Sequence, residues 1–241
     1  MLPALTLQGW LRFDTVERLL DRVDGVRTVL EIGAGVGALG SALARRYDYL
    51  GLEPDPVSYE VGRRRVEAAG GRLEPIAYTE LAGGERFDLV CAFEVLEHLP
   101  DDAAALAAWR ELLRPGGRLL VSVPAGLRRF GASDELVGHE RRYERAGLVD
   151  LLVRSGFSEP EVRGYGFPLG NVLKPVRDRL AARQLGAGAE RGTGTSGRWL
   201  QPTESRARLT WAAALPFRYA QRPFAHTDLG TGLVALATRD G

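Results

Sequence analysis

Two acidic side chains and one of the three histidines fall within residues 94–98, Glu-Val-Leu-Glu-His. This stretch follows an apolar run, Phe87–Phe93, that predicts a buried strand. A second histidine, His139, lies in a polar segment between a later predicted strand and the helix after it. Because α/β sheets bind ligands beyond the carboxyl ends of their strands, we expect these side chains to approach one site. Carboxylates and imidazoles are suited to general acid–base chemistry, and Glu94, His98 and His139 are the candidate bases.

A second candidate site is the glycine-rich turn Gly33-Ala34-Gly35-Val36-Gly37, which joins a predicted strand to a predicted helix. Glycine permits a tight reversal of the chain and the close approach of a ligand to the backbone. The start of the following helix offers backbone N–H groups that have no partner within the helix. The turn therefore predicts a binding site for a polar ligand.

Acidic residues on either side of the turn narrow the choice of ligand. Glu53 ends the second predicted strand, 20 residues after Gly33, where a carboxylate can accept both hydroxyls of a ribose. The spacing Gly33-x-Gly35-x-x-Ala38 also satisfies the dinucleotide fingerprint, so a nicotinamide-dependent oxidoreductase stays an alternative. Glu31 is a poor neighbour for a pyrophosphate but a good one for a cationic amino group. The pattern therefore favours S-adenosylmethionine as the cofactor.

The elements that must position these residues alternate between strand and helix. This alternation demands right-handed crossovers and predicts a doubly wound α/β sheet with helices on both faces. The predicted strands are 28–32, 49–53, 72–76, 87–93, 118–123, one near Val162, and 232–237. The predicted helices are 13–23, one within 35–45, 56–69, one capped by Asp101 or Asp102 and ended by Pro115-Gly116-Gly117, and 144–155.

A single domain is expected for 241 residues of which 45% are hydrophobic. Residues 1–27 contain a helix that is predicted to cap the domain, and residues 28–170 form the cofactor-binding core. Helical segments at 171–185 and 205–219 predict a lid insertion, residues 171–225, before the final strand segment 226–241. The glycine-rich segment 186–197 between the two helices has the composition of a mobile linker.

Charge and cysteine content limit the possible partners and settings. The 32 Lys and Arg residues nearly balance the 31 Asp and Glu residues, so no overall field attracts nucleic acid or an anionic membrane. The single cysteine, Cys91, lies in an apolar run and cannot form an internal disulfide, which fits a reducing, cytoplasmic setting. No apolar run is long enough to span a membrane. We therefore expect a soluble protein that acts on a small-molecule substrate rather than on nucleic acid.

Four motifs occur in order along the first two thirds of the chain. They are Val-Leu-Glu-Ile-Gly-Ala-Gly-Val-Gly at 29–37, Gly-Leu-Glu-Pro-Asp at 51–55, Phe-Asp-Leu-Val-Cys-Ala-Phe-Glu-Val-Leu-Glu-His-Leu at 87–99, and Leu-Arg-Pro-Gly-Gly at 113–117. Through them, residues 28–157 resemble the class I S-adenosylmethionine-dependent methyltransferases, in the branch with Leu-Glu-His after the fourth strand. The resemblance implies a Rossmann-like sheet of seven strands with the last one antiparallel.

The resemblance also implies a set of cofactor contacts. In that family the glycine turn holds the methionine part of the cofactor, the acidic residue that ends strand two holds the ribose, and the backbone after strand four touches the methionine end. Residues after strand three contact the adenine, and there this chain lacks the acidic side chain that the family often supplies. The implied residues are Glu31, Gly33, Ala34, Gly35, Gly37, Glu53, Pro54, Ala77, Tyr78, Phe93 and Glu94.

The spacing Glu-x-x-Glu-His is similar to that of ubiquinone-biosynthesis O-methyltransferases and of methyltransferases that act on the terminal 2′-hydroxyl of small RNAs. In those proteins the corresponding residues bind a divalent metal. By this resemblance Glu94, Glu97, His98 and His139 form a Mg²⁺ or Zn²⁺ site that lowers the pKa of a substrate hydroxyl for O-methylation. Many members of the resembled family carry Leu-Glu-His without a metal, so His98 or His139 as a metal-free base is the alternative.

Other interpretations of the sequence stay open. A metal-free enzyme that methylates nitrogen or carbon is the first alternative, with His98 or Glu94 as its base. An Arg-rich amphipathic stretch at 206–219 also suits a cofactor-binding module that rests on a membrane or a partner. Arg141 and Arg142 are candidates for a clamp on a substrate carboxylate or phosphate. His226 is interpreted as a structural histidine, and a position near the rim of the pocket is the alternative.

Overall fold

The computed structural model describes residues 2–81, 84–158, 160–189, 192 and 200–240. Seven strands are formed by these residues: β1 (Thr28–Ile32), β2 (Asp48–Leu52), β3 (Arg72–Glu74), β4 (Phe87–Phe93), β5 (Leu113–Pro124), β6 (Glu161–Tyr165) and β7 (Gly232–Thr238). They lie in one sheet in the order β3-β2-β1-β4-β5-β7-β6, and β7 is antiparallel to both of its neighbours. The predicted α/β fold with an antiparallel last strand is confirmed.

Helices cover both faces of this sheet. The helices of the described residues are α1 (Leu7–Leu20), α2 (Gly40–Leu43), α3 (Pro56–Glu67), α4 (Asp102–Glu111), α5 (Ala132–Val137), α6 (Arg145–Arg154), α7 (Leu169–Gly186) and α8 (Ala207–Ala220). Val29 of β1 packs in the core beneath α1, α2 and α3, whereas Leu30 packs in the core beneath α4 and α6. Both side chains are fully buried, which explains why successive positions of β1 are apolar instead of alternating between apolar and polar.

Some element boundaries differ from the sequence prediction. Helix α1 begins at Leu7, ahead of the predicted 13–23, because the Thr6 side chain accepts a hydrogen bond from the Gly9 N–H and caps it. Helix α2 spans four residues where a longer helix within 35–45 was predicted. Pro115-Gly116-Gly117, predicted to separate a helix from a strand, lies inside β5 as an irregularity in its pairing with β4.

The crevice at the centre of the sheet lies between β1 and β4. The strand order reverses there, since β2 and β3 lie on one side of β1 while β4 and β5 lie on the other. Asp88 fixes the two strands together, because its carboxylate accepts hydrogen bonds from the Arg27 and Thr28 N–H groups. These bonds and the Arg114 guanidinium outweigh the effect of burial and lower the pKa of Asp88 to about 2. In doubly wound sheets, ligands bind where the strand order reverses, as it does between β1 and β4.

The segment predicted as a lid contains two helices, α7 and α8, close to the predicted 171–185 and 205–219. Helix α8 packs on α1: Trp10 donates to Thr210, and the carboxylate of the buried Asp14 binds Arg218 and Arg222. Arg218 of α8 and Arg222 of the turn after it therefore pair with a carboxylate of the chain itself. Most of the predicted mobile linker, residues 190, 191 and 193–197, lies outside the described residues. The division into cap, core and lid stays a prediction.

No helix in the described part of the chain combines the length and apolar character needed to cross a membrane.

Candidate active site

A cavity of about 900 Å³ opens at the carboxyl ends of β1, β2 and β4. Its walls come from the glycine turn, the turn after β4, and helices α1, α5 and α7. The residues predicted for the site that line it are Glu31, Gly33, Ala34, Gly35, Glu53, Pro54, Phe93, Glu94, His98 and His139. Most of the residues that the sequence singled out therefore meet in one place.

The glycine turn requires glycine for two different reasons. Gly33 has a positive φ of 69°, and a Cβ there would come within 2.7 Å of the Val95 side chain beside the cavity. Gly37 has the same φ, but its Cβ would meet the Gly62 backbone of α3 at 2.8 Å, and Gly37 does not line the cavity. The structure thus gives Gly37 a packing contact with α3, whereas the sequence assigned it to the cofactor.

Glu53 holds the glycine turn in place. Its Oε2 accepts a hydrogen bond of 2.7 Å from the Gly35 N–H, and its Oε1 accepts one of 2.8 Å from the Asp55 N–H. The side chain is buried, yet it lines the cavity. A carboxylate in this position is suited to accept hydroxyl groups from a ligand that lies against the turn.

Glu31 is almost fully buried at the end of the cavity that the glycine turn forms. Its Oε2 accepts a hydrogen bond of 2.6 Å from the Tyr49 hydroxyl. Burial raises the pKa of Glu31 to about 7, although the Tyr49 bond and the charge of Arg12 act in the opposite direction. Glu31 is expected from the sequence to be an anion, whereas in the structure its charge depends on pH near neutrality.

The two residues assigned to the adenine do not reach this cavity. Ala77 and Tyr78 are absent from its lining, and the Tyr78 ring packs edge to face on Trp109 with centroids 5.9 Å apart. Asp55 and Ser58, at the start of α3, line the cavity on that side instead. A contact of Ala77 and Tyr78 with the cofactor stays a prediction.

Glu94 adopts a left-handed backbone conformation, with a φ of 57° that is uncommon for a residue with a side chain. Its Oε1 accepts hydrogen bonds from the Ser122 and Tyr165 hydroxyls at 3.0 and 2.9 Å, and Arg12 Nη1 lies 3.5 Å away. Burial alone would raise the pKa of Glu94, but Arg12, His139 and these hydrogen bonds keep it below its usual value. Glu94 is therefore an anion held from the side of β5 and α1.

Glu97, His98 and His139 form a cluster in which one potential ligand atom of each lies within 4.8 Å of the others. His98 Nδ1 donates to the Gly138 carbonyl at 2.9 Å, and His139 Nδ1 donates to Asp134 at 2.8 Å. These partners assign the proton of each ring to Nδ1 and leave Nε2 as an acceptor. His139 Nε2 lies 3.6 Å from Glu97 Oε1, and the two ring centroids are 4.8 Å apart.

Three atoms of this cluster are buried without a hydrogen-bond partner among the described residues: both carboxylate oxygens of Glu97 and His98 Nε2. Burial and the adjacent Glu94 raise the pKa of Glu97 well above its usual range. Buried polar atoms without partners are costly, so their convergence indicates a site that a ligand or ion completes. The donor set, two imidazole nitrogens and a carboxylate, fits a divalent transition metal. Glu94 is not a member of this cluster.

Sequence reasoning missed Asp134, on which the cluster depends. Asp134 is fully buried in α5 and binds His139, Arg142 and Lys174. Burial would raise its pKa, but the bonds from His139 and Arg142 hold that pKa far below the usual value. A carboxylate that orients a histidine through Nδ1 is the usual support of a metal-binding imidazole. The only sequence signal is its position five residues before His139.

The two arginines of the predicted substrate clamp bind groups of the chain itself, and the clamp stays a prediction. Arg142 donates to Asp134 and to the Ala125 carbonyl, and Arg141 donates to the Pro100 carbonyl and pairs with Asp102. The pair thus connects the loop before α6 to the rest of the fold, although Arg142 also lines the cavity. His226 does not line this cavity but a smaller one of about 60 Å³ beside α1. The alternative that places His226 at the rim of the active-site cavity is therefore not supported, and its structural role stays a prediction.

Known proteins that are similar to this chain in sequence are methyltransferases. Residues 30–119 match a family model described as a methyltransferase domain. A ubiquinone biosynthesis O-methyltransferase of Alkalilimnicola ehrlichii is 36% identical over 120 residues, which cover 46% of this chain and 47% of that protein. One from Cereibacter sphaeroides is 40% identical over 98 residues, covering 39% of this chain and 40% of that protein. The chain thus spans less than half the length of these curated relatives.

Solved structures share the fold over nearly the whole chain. A possible histamine N-methyltransferase from Thermotoga maritima superposes with a TM-score of 0.62 at 18% identity and covers 97% of this chain and 91% of its own. An N-methyltransferase from Bradyrhizobium japonicum, solved with S-adenosyl-L-homocysteine, superposes with a TM-score of 0.59 at 16% identity and covers 95% and 86%. Together with the sheet topology, these structures show that the chain has the fold of S-adenosylmethionine-dependent methyltransferases, and the family match places a methyltransferase domain at residues 30–119.

Proposed function

We propose that the protein transfers the methyl group of S-adenosylmethionine to a hydroxyl oxygen of a small-molecule substrate, with a divalent metal bound by Glu97, His98 and His139. The observation that carries this proposal is the convergence of unsatisfied ligand atoms from these residues beside the cavity that the glycine turn lines. The curated relatives, which are named as O-methyltransferases, support oxygen as the acceptor.

The residues of the chain divide the work between the two ends of the cavity. At the cofactor end, the glycine turn lies against the ligand, Glu53 accepts the ribose hydroxyls, and Glu31 receives the α-amino group. At the other end, Asp134 and the Gly138 carbonyl hold the imidazoles of His139 and His98 with Nε2 toward the metal site. The methyl group moves from the sulfonium to the substrate oxygen, which leaves S-adenosylhomocysteine and releases the hydroxyl proton.

The donor set favours Zn²⁺ or a similar ion over Mg²⁺, since imidazole nitrogen suits the former and Mg²⁺ prefers oxygen ligands. Bound there, such an ion would supply Lewis acidity that lowers the pKa of a substrate hydroxyl. Glu94, with its carboxylate bound by Arg12, Ser122 and Tyr165, contributes negative charge next to the cluster. Direct ligation of a metal by Glu94 stays a prediction.

A second candidate is metal-free methylation of nitrogen or carbon with His98 as the base. The observation in its favour is the His98 Nε2 atom, which is a free acceptor once Nδ1 donates to Gly138. Elemental analysis of the purified protein and assay after exhaustive EDTA treatment separate the two candidates. Full activity in a protein without bound metal would establish the second one.

Parallel calorimetric titrations test the cofactor. We expect S-adenosylhomocysteine to bind with a stoichiometry of one and NAD to give no heat of binding. The physical reason is the acidic end of the cavity, where Glu31 and Glu53 suit a cationic amino acid and a ribose but repel a pyrophosphate. Binding of NAD without binding of S-adenosylhomocysteine would contradict the proposed function.

The affinity for S-adenosylhomocysteine is expected to depend on pH through Glu31. The raised pKa of about 7 means that this carboxyl is protonated below pH 7 and charged above it. The ligand's ammonium prefers the charged form, so Kd should fall as pH rises from 5.5 to 7.5, by at most about tenfold per pH unit. By linkage, binding at pH 6 should release protons, which calorimetry in buffers of different ionisation enthalpy measures.

Glu31→Gln is expected to flatten this pH profile, because the amide does not titrate but still accepts the Tyr49 hydrogen bond. The other groups that act on Glu31 are Arg12, which stays charged, and Glu53. Glu17→Gln is the matched control: burial also raises the pKa of Glu17, but this residue does not line the cavity. A pH profile in Glu31→Gln that matches the unaltered protein would assign the dependence to another group.

A further inference from the structure

The two ends of the active-site cavity differ in charge. Its cofactor end, formed by the glycine turn and residues 53–58, carries Glu31, Glu53 and Asp55, and no Lys or Arg of the described residues lines it there. The opposite wall, formed by α1, the turn after β4, α5, α7 and the loop before α6, carries four cations and two carboxylates. These are Arg12, Arg142, Lys174 and Arg177, with Glu94 and Asp134.

The two carboxylates of the basic wall already have cations around them. Asp134 binds Arg142 and Lys174, and Glu94 lies 3.5 Å from Arg12. Lys174 also binds Asp178, which lies one turn further along the same helix and does not line the cavity. Asp178 and Glu97 lie near these cations but do not line the cavity, so the charged side chains that line this wall are four cations and two carboxylates. The wall therefore favours an added negative charge.

Arg177 brings a guanidinium into this wall from helix α7. The helix is fixed against α5, because Asp178 accepts a hydrogen bond from the Ser133 N–H and Lys174 donates to Asp134. Arg177 interacts electrostatically with both Glu94 and Asp134, the two carboxylates next to the Glu97, His98 and His139 cluster. The guanidinium thus lies on the side of the cavity where the acceptor hydroxyl would bind.

The surroundings of Arg177 are apolar along its own helix. Leu173, Val176 and Leu180 also line the cavity, and residues 173, 177 and 180 fall on one helix face. Burial lowers the pKa of Arg177, and Glu94, Tyr165 and Asp134 offset part of that effect. A charge–charge contact is stronger at a guanidinium that is partly removed from water than at an open surface.

We propose that the acceptor substrate carries an anionic group, a carboxylate or a phosphate, and that Arg177 binds this group while Leu173 and Leu180 contact the apolar body of the molecule. A guanidinium offers two parallel N–H donors that match the oxygens of either anion. Arg12 and Lys174 add positive potential on the same side. This inference rests on the proposed methyl transfer. It places the acceptor hydroxyl at the cluster of Glu97, His98 and His139 and the anionic group at Arg177.

Three probes with the same vicinal hydroxyls test the proposal: 3,4-dihydroxybenzyl alcohol, 3,4-dihydroxybenzoate and 3,4-dihydroxybenzyl phosphate. Their dissociation constants are measured by calorimetry in the presence of S-adenosylhomocysteine, so that no turnover is needed. We expect at least one of the two anions to bind about 10- to 100-fold more tightly than the neutral alcohol. The anion with the larger gain in affinity over the alcohol shows whether the site prefers a carboxylate or a phosphate.

Arg177→Gln is expected to remove this advantage while leaving the affinities for S-adenosylhomocysteine and for the alcohol unchanged. Arg179→Gln, on the exposed side of the same helix, is the matched control and should keep the advantage. Equal binding of all three probes by the unaltered protein, or an advantage that survives in Arg177→Gln, overturns the anion site. Failure of the proposed function is a separate result, because it appears as absence of S-adenosylhomocysteine binding in every variant.

Discussion

His98→Ala and His139→Ala are each expected to lower kcat by about 10²- to 10⁴-fold, while the affinity for S-adenosylhomocysteine changes by less than about threefold. The reason is geometric: both imidazoles present Nε2 to the cluster with Glu97, whereas the glycine turn, Glu31 and Glu53 lie at the other end of the cavity. Methyl transfer to the substrate and calorimetric titration with S-adenosylhomocysteine measure the two quantities. Elemental analysis of both variants should also show loss of the bound metal.

The third histidine of the chain provides the control for this pair. His226 lies in the smaller cavity beside α1, so His226→Ala should keep both turnover and metal content. Melting temperatures of all three variants separate a lost site from a lost fold. Turnover that persists in either active-site variant, or metal that stays bound in both, would contradict the assignment of these two imidazoles.

Asp134→Asn is a useful companion variant because Asp134 orients His139 but contributes no ligand atom to the cluster. The amide can still accept one hydrogen bond, but it no longer balances the charges of Arg142 and Lys174. A positioning role therefore predicts weaker metal binding, with more added metal needed for half-maximal activity. Saturating metal should restore part of the lost turnover, which a defect of folding alone would not allow.

Much of the fold could be predicted because its signals are local. The central strands are apolar runs, since helices bury both faces of the sheet, and the glycine turn needs a residue without Cβ where Gly33 meets Val95. Residues 94–98 could be assigned to the site because they follow β4 directly, at the edge where such sheets bind ligands. For the strands and for residues 94–98 the sequence signal lies within a few positions of the feature that it predicts, and for the turn the signal is the glycines themselves, although Val95, which Gly33 meets, is distant in sequence.

The missed features depend on contacts between distant segments. Arg12 meets Glu94 only because α1 folds over the end of β4, and Tyr49 reaches Glu31 only because β2 pairs with β1. No sequence pattern gives the distance between two such residues. The charge state of Glu31 could not be predicted for the same reason, since it depends on burial that only the assembled core produces.

The position of Arg177, the proposed anion-binding residue, could not be predicted from the sequence either. The sequence suggested Arg141 and Arg142 as an anion clamp, because they are adjacent and follow His139. In the folded chain both of them bind carbonyls and carboxylates of the protein, and the guanidinium of Arg177 enters the cavity from a helix some 35 residues later. Adjacent charges in a sequence do not reveal which of them the fold itself uses.

Glu53→Gln is expected to weaken S-adenosylhomocysteine binding by about 10²- to 10³-fold, the loss that accompanies two hydrogen bonds to a charged acceptor. Both oxygens of this carboxylate accept backbone N–H groups, from Gly35 and from Asp55, and the same oxygens are to accept the ribose hydroxyls. A glutamine places an NH₂ group where one of these N–H donors points, so the turn must shift away from it. Calorimetry measures the change in affinity.

Glu74→Gln is the control for this variant, because Glu74 ends the neighbouring strand β3 but does not line the cavity. It should bind S-adenosylhomocysteine as the unaltered protein does. Equal affinity in Glu53→Gln would show that the ribose is held elsewhere and that Glu53 serves only to fix the glycine turn. A melting temperature that falls while affinity stays constant would point to the same structural role, whereas loss of affinity with an unchanged melting temperature assigns Glu53 to the ligand.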